Sequence, residues 1–185
     1  MLMPNTQRRY TAADFDGFPE SGNTRYEIIW GELFVTPAPI PRHEIVVRRL
    51  TFACEMHRET TRAAMFVVNK GDVYMSEDTV VEPDLFVMPA VELTSRWRDV
   101  RTVLLAAEVL SPSTSRVDRH LKRKRYLEYG VATYWIVDAE HEQVEVWHPG
   151  DEFPAVESER LAWRVSPDAP ELIVDLPALF AGLPR

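Results

Sequence analysis

Val103-Leu104-Leu105-Ala106-Ala107-Glu108-Val109-Leu110, followed by Ser111-Pro112-Ser113-Thr114-Ser115, is the stretch that decides how the rest of the chain is read. Residues 103–110 form an almost wholly apolar run of strand length, which predicts a strand covered on both faces at the centre of a sheet. Glu108 alone interrupts it. A single carboxylate in such a run is costly unless it is paired, protonated, hydrogen-bonded or bound to metal, so Glu108 needs a partner. Residues 111–114 read as a turn. Ser115 with Asp118 three residues on is a capping-box pattern, which opens a helix to about Tyr129 that Gly130 ends.

Upstream, residues 26–30 and 33–35 around Gly31-Glu32 read as a hairpin that Pro37, Pro39 and Pro41 must end. Ile45, Val46, Arg49, Leu50, Ala53 and Met56 recur at helical spacing, predicting a helix over 42–59 that packs on a sheet, with His43 in its first turn. Three strands follow, at 64–68, 72–75 after the Asn69-Lys70-Gly71 turn, and 80–88, paired as a meander. Downstream, 133–137 and 144–147 are further strands, and the proline-spaced tail adds a strand near 161–165 and a small terminal helix. The pattern is α/β in the α+β sense, a mixed sheet flanked by helices.

A length of 185 residues fits one domain with a real core, and 45% apolar with 27% charged residues is an ordinary globular composition. No apolar run approaches membrane-spanning length. Residues 1–10 are polar and lack the apolar stretch of a secretory signal, so a cytoplasmic protein is expected. Cys54 is the one cysteine, which excludes an intrachain disulfide and a cysteine-based zinc cluster. Its apolar neighbours predict a buried thiol. The net charge of -8 argues against non-specific coating of nucleic acid. A local basic face is left by Arg116, Arg119, Lys122, Arg123, Lys124 and Arg125.

Asp84 is the candidate partner of Glu108. It follows Pro83, which cannot donate to a sheet ladder and favours an edge or bulge that aims side chains into sites. On neighbouring strands the two carboxylates converge, and with waters and a substrate phosphate they make a Mg²⁺ site that Mn²⁺ also suits. Lys122, in the second turn of the helix opened at Ser115, leans back toward the strand end on the same face as Asp118 and Tyr126.

These residues carry a resemblance. Tyr26-Glu27-Ile28-Ile29 with Gly31-Glu32, residues 39–43, Pro83-Asp84, residues 108–114, Asp118 with Lys122 and Tyr126, and Tyr134-Trp135-Ile136-Val137-Asp138 are similar, in order and spacing, to the Uma-type restriction endonuclease family of the PD-(D/E)xK nuclease superfamily. The likeness spans residues 10–150, leaving 151–185 as a C-terminal extension of a single domain, 1–185. It implies a restriction-endonuclease-like fold in which Asp84 and Glu108 hold the metal and Lys122 takes the lysine role. Glu27 and His43 resemble residues near the same site. One departure stands out: the superfamily's usual lysine slot, two residues after the second acid, holds Leu110. The lysine then comes from the following helix, as Lys122 or Lys124.

The expected activity is magnesium-dependent hydrolysis of DNA phosphodiesters, with Arg116, Arg119, Arg123 and Arg125 contacting phosphates and a homodimer cutting both strands. Two alternatives stay open: a nuclease fold without catalysis that binds DNA or protein, and a phosphodiesterase acting on RNA or nucleotides.

Overall fold

The computed structural model describes residues 8–19, 24–94, 96–111 and 115–184. The first element among the described residues is α1 (Ala12–Phe15), opened by a reciprocal capping box between Thr11 and Asp14. Strands β1 (Thr24–Ile29) and β2 (Glu32–Pro37) form the expected antiparallel hairpin. Its turn is Trp30-Gly31 rather than Gly31-Glu32, because Ile29 pairs with Glu32. Both turn residues have positive φ, 49° and 77°, the backbone of a type I′ turn whose twist matches the flanking strands. Gly31 adopts this freely. Trp30 is an uncommon occupant, held by Thr79 Oγ1 on its N–H and by Arg9 on its carbonyl.

Helix α2 (Pro41–Thr61) starts with proline at its first position, where the missing N–H costs nothing. Its buried face is His43, Val46, Val47, Leu50 and Cys54. Of the expected stripe, Val46 and Leu50 are buried, Ile45, Arg49 and Ala53 half-buried, and Met56 exposed. The Arg49 guanidinium donates to the carbonyls of Leu179 and Ala181 and ties that flank of the helix to α4 and the residue after it.

Strands β3 (Met65–Val68), β4 (Val73–Ser76), β5 (Thr79–Val81) and β6 (Leu85–Pro89) come next. Two expectations fail here. The strand predicted over 80–88 is broken at Glu82-Pro83-Asp84, where Pro83 has no N–H for a ladder and the chain passes from one sheet to another. The meander does not form either: β4 pairs with β5, while β3 pairs with β6.

After β7 (Leu105–Val109) the helix opens at Ser115, winds as a π-helix over Val117–Lys122 and continues as α3 (Arg123–Tyr129). Gly130 terminates it with φ 94°. Of the turn expected at 111–114, residues 112–114 lie outside the described residues. Strands β8 (Thr133–Asp138) and β9 (Gln143–Trp147) match expectation. The tail holds β10 (Ala155–Glu157), β11 (Arg160–Trp163), β12 (Leu172–Asp175) and α4 (Leu176–Phe180), of which β10 and β12 were not anticipated.

The strands assemble as a four-stranded sheet, β2-β1-β5-β4, a six-stranded sheet, β10-β9-β8-β7-β6-β3, and the β11-β12 hairpin. The large sheet is mixed, since β7 and β8 run parallel and its other pairs antiparallel. All five residues of β7 are buried, as its composition predicts. Leu105, Ala107 and Val109 join α2 and the C-terminal hairpin in one core; Ala106 joins Phe86, Tyr126, Tyr134 and Ile136 on the opposite face. Alternation assigns Glu108 to that second face, at the strand's end. Among the described residues no helix is long and apolar enough to cross a membrane.

Candidate active site

Strands β6 and β7 pair with Leu85 opposite Ala107. Asp84, one residue before β6 in the 82–84 break, lies against the end of β7 that carries Glu108. The Val109 N–H donates to Asp84 Oδ2 at 2.8 Å, which fixes the aspartate against the end of β7. His43 Nε2 lies 2.9 Å from the same oxygen, and Arg25 donates to Oδ1 at 2.7 Å. Burial alone would raise the Asp84 carboxyl, but the hydrogen bond from His43 and the charge of Arg25 outweigh it and hold the group well below the ordinary carboxylate range. An ionised acceptor at Oδ2 assigns the Nε2 proton to His43. Its Nδ1 is buried and has no hydrogen-bond partner among the described residues.

Glu108 sits in a different setting. Lys122 Nζ donates to its Oε1 at 3.0 Å and the Tyr126 hydroxyl to the same oxygen at 2.9 Å. Lys122 also lies 2.8 Å from Glu27 Oε1 and 3.4 Å from Asp118 Oδ1. Burial raises the Glu108 carboxyl well above its usual range; Lys122 opposes this, while Asp84, Asp118 and Glu27 add to it. Lys122 stays charged, because the attraction of Glu108, Glu27 and Asp118 exceeds the cost of burying it. Glu27 reaches the cluster from the smaller sheet, where its Oε1 also accepts the Glu82 N–H at 2.9 Å. The site is therefore built across the chain's passage from β5 to β6.

The π-helical winding of 117–122 turns both Asp118 and Lys122 inward. Single-turn π segments are frequent at functional sites. Tyr126 and Tyr134 stack with centroids 4.7 Å apart, and the Tyr134 hydroxyl donates to the Asp118 carbonyl at 3.2 Å, bracing the segment from beneath.

Asp84, Glu108, Lys122, Glu27 and His43 thus come together in one buried cluster. Lys124 does not: it is exposed and lies 3.8 Å from Glu128. Of the four arginines expected at phosphates, Arg116 is exposed, while Arg119 pairs with Asp138 and Glu145. Arg123 stacks 4.1 Å over Trp147, and Arg125 binds Thr79 and Ser76. Three members were missed from the sequence: Arg25, Tyr126 and Asp118, read there as a helix cap. Arg25 stands two residues before Glu27, hence on the same strand face, and that period would have found it. Tyr126 was placed on the Lys122 face without a role.

A divalent cation fits the donor set by charge and by lone-pair count. Four buried carboxylates, Glu27, Asp84, Glu108 and Asp118, face two cations, Arg25 and Lys122. Among the described residues Asp84 Oδ1 carries one donor and Glu108 Oε2 none, so each has acceptor capacity left. Among the described residues no three His, Cys, Asp or Glu side chains form a ready cage, so two carboxylates with water and a phosphate are the set available.

The fold has a solved counterpart. The crystal structure of a "putative nuclease belonging to DUF820" from Anabaena variabilis superposes with a TM-score of 0.78 at 20% identity, covering 94% of this chain and 98% of that one. No curated protein matches the chain. The family is shown by its match to residues 12–177: the chain belongs to the Uma2 family, described as "Putative restriction endonuclease".

Proposed function

We propose that the protein is a divalent-cation-dependent endonuclease that hydrolyses DNA phosphodiesters, with Asp84 and Glu108 holding Mg²⁺, or Mn²⁺ in its place. The observation that carries this reading is the buried carboxylate excess around Lys122, beside an aspartate kept ionised just before the adjacent strand. When bound, Mg²⁺ supplies Lewis acidity and charge neutralisation at the phosphate. Lys122, held by Glu27, Glu108 and Asp118, keeps a fixed positive charge beside the position where negative charge develops. Arg25 holds Asp84 ionised. His43 gives its Nε2–H to Asp84 and fixes the orientation of that carboxylate. Tyr126 and Lys122 hold Glu108 Oε1, and Oε2 would be the oxygen available to the cation. Two copies acting together would cut both strands of a duplex.

The test is cleavage of supercoiled plasmid and single-stranded DNA with Mg²⁺ and with chelator, using wild type, Asp84→Asn, Glu108→Gln and Lys122→Met. Cation-dependent cleavage that falls at least about a hundredfold in each variant is expected. Cleavage that survives all three changes would sink the site. A second reading, the fold without catalysis, is favoured by one observation: Asp84 already accepts three internal hydrogen bonds. Salt-dependent DNA binding by a wild type that cuts nothing would select it.

A further inference from the structure

A cleft of about 340 Å³ opens beside the site, on the far side of His43. Its walls include Ile40, Arg42 and His43 from the start of α2, Leu110 from the end of β7, and Asp138 and Glu140 from the turn after β8. A volume of this order matches small-ligand sites.

Three features of the cleft point to one kind of ligand. First, Arg42 donates one guanidinium N–H to the Ala139 carbonyl, but its Nε is buried and has no partner among the described residues. A buried cationic donor left unmade is costly, so an anionic oxygen belongs beside it. Second, His43 Nδ1 is buried and also has no partner among the described residues. With Nε2 turned to Asp84, Nδ1 is the ring atom left for a hydroxyl to meet. Third, the N-terminus of the 21-residue α2 receives no side-chain cap from Ile40, so its positive dipole end is left for a ligand.

The acidic wall does not cancel these features. Asp138 Oδ1 accepts the N–H groups of Glu140 and His141, and its Oδ2 accepts Arg119 and His141 Nδ1, so its charge is committed internally. Glu140 is exposed at the rim. Ile40 and Leu110 give the cleft apolar surface for a sugar or base.

The geometry points to a nucleotide-binding subsite in this cleft, in which Arg42 Nε and the open N-terminus of α2 hold a phosphate, and His43 Nδ1 meets a hydroxyl of the same nucleotide. Its ligand identity rests on the nuclease reading, which makes this the place of the nucleotide next to the scissile bond. His43 then touches both the subsite and Asp84, coupling binding to the reacting centre.

Calorimetric titration with thymidine 5′-monophosphate and with thymidine, in chelator, tests this without cation or turnover. Saturable binding of the monophosphate is expected, at least tenfold tighter than thymidine. Ile40→Asp places a carboxylate where it caps α2 and repels phosphate, so it should weaken monophosphate binding at least tenfold without lowering the melting temperature. Arg42→Gln should also weaken it. Equal binding of thymidine, unchanged binding in Ile40→Asp, or no saturable binding by wild type overturns the subsite. Plasmid cleavage reads the nuclease assignment separately: cleavage without monophosphate binding defeats the subsite alone, and binding without cleavage defeats the nuclease alone.

Discussion

Asp84, in the break before β6, and Glu108, near the end of the neighbouring β7, have 3% and 1% of their surface exposed, yet their surroundings drive proton binding in opposite directions. Among the described residues Asp84 accepts from a backbone N–H, the His43 ring and the Arg25 guanidinium. Glu108 shares its one strong cation with Glu27 and Asp118, and so becomes the surplus acid of its group. Equal burial does not decide ionisation; the count of cations per carboxylate does. Two titratable groups pushed apart in this way mark a division of roles. Asp84 is held toward its ionised form, and Glu108 is pushed toward its protonated one.

Stability should break the symmetry most strongly. Asp84→Asn leaves Arg25 without its buried partner and should cost about 3–5 kcal/mol in urea denaturation with chelator present. Glu108→Gln mimics the protonated acid and should cost under about 1.5 kcal/mol. Similar losses in the two variants would erase the distinction.

The pH dependence sharpens it. The Asp84 carboxyl is lowered on folding, so its contribution is present above the ordinary aspartate range and is lost as pH falls through the folded value. For Glu108 the native state binds more protons than the unfolded one above the ordinary glutamate range, so stability of the cation-free protein declines as pH rises. Each slope is up to about 1.4 kcal/mol per pH unit. Glu108→Gln should flatten the decline toward high pH and Asp84→Asn the decline toward low pH, measured by denaturation across pH. A shared slope removed by either variant would contradict the assignment.

A smaller effect probes the support beneath Glu108. Tyr126→Phe removes one hydrogen bond to Oε1 and should cost about 1 kcal/mol while lowering cleavage a few-fold. No change in either measurement would reduce Tyr126 to packing.

How much of this was legible in the chain varies residue by residue. Glu108 was readable because an apolar run leaves a carboxylate few inexpensive explanations, and Asp84 because Pro83 marks a break in a ladder. That β5 and β6 belong to different sheets was not readable, since proline fixes a break but not the partners on either side. Lys122 was readable through its four-residue spacing from Asp118 and Tyr126, although Lys124 stayed open until the structure showed it exposed. The π winding over 117–122 was not readable, since helical spacing does not encode it. Arg25 was within reach through the two-residue period from Glu27. The cleft was not, because it joins the start of α2 to a turn about a hundred residues away.

The most direct test of the paired-carboxylate site is calorimetric titration of the protein with Mn²⁺ in two buffers of different ionisation enthalpy near neutral pH. Wild type should bind the cation and release about one proton as Glu108 exchanges its proton for the metal, and Glu108→Gln should lose both the affinity and the release. Cation binding that releases no proton, or that persists unchanged in Glu108→Gln, would contradict the account.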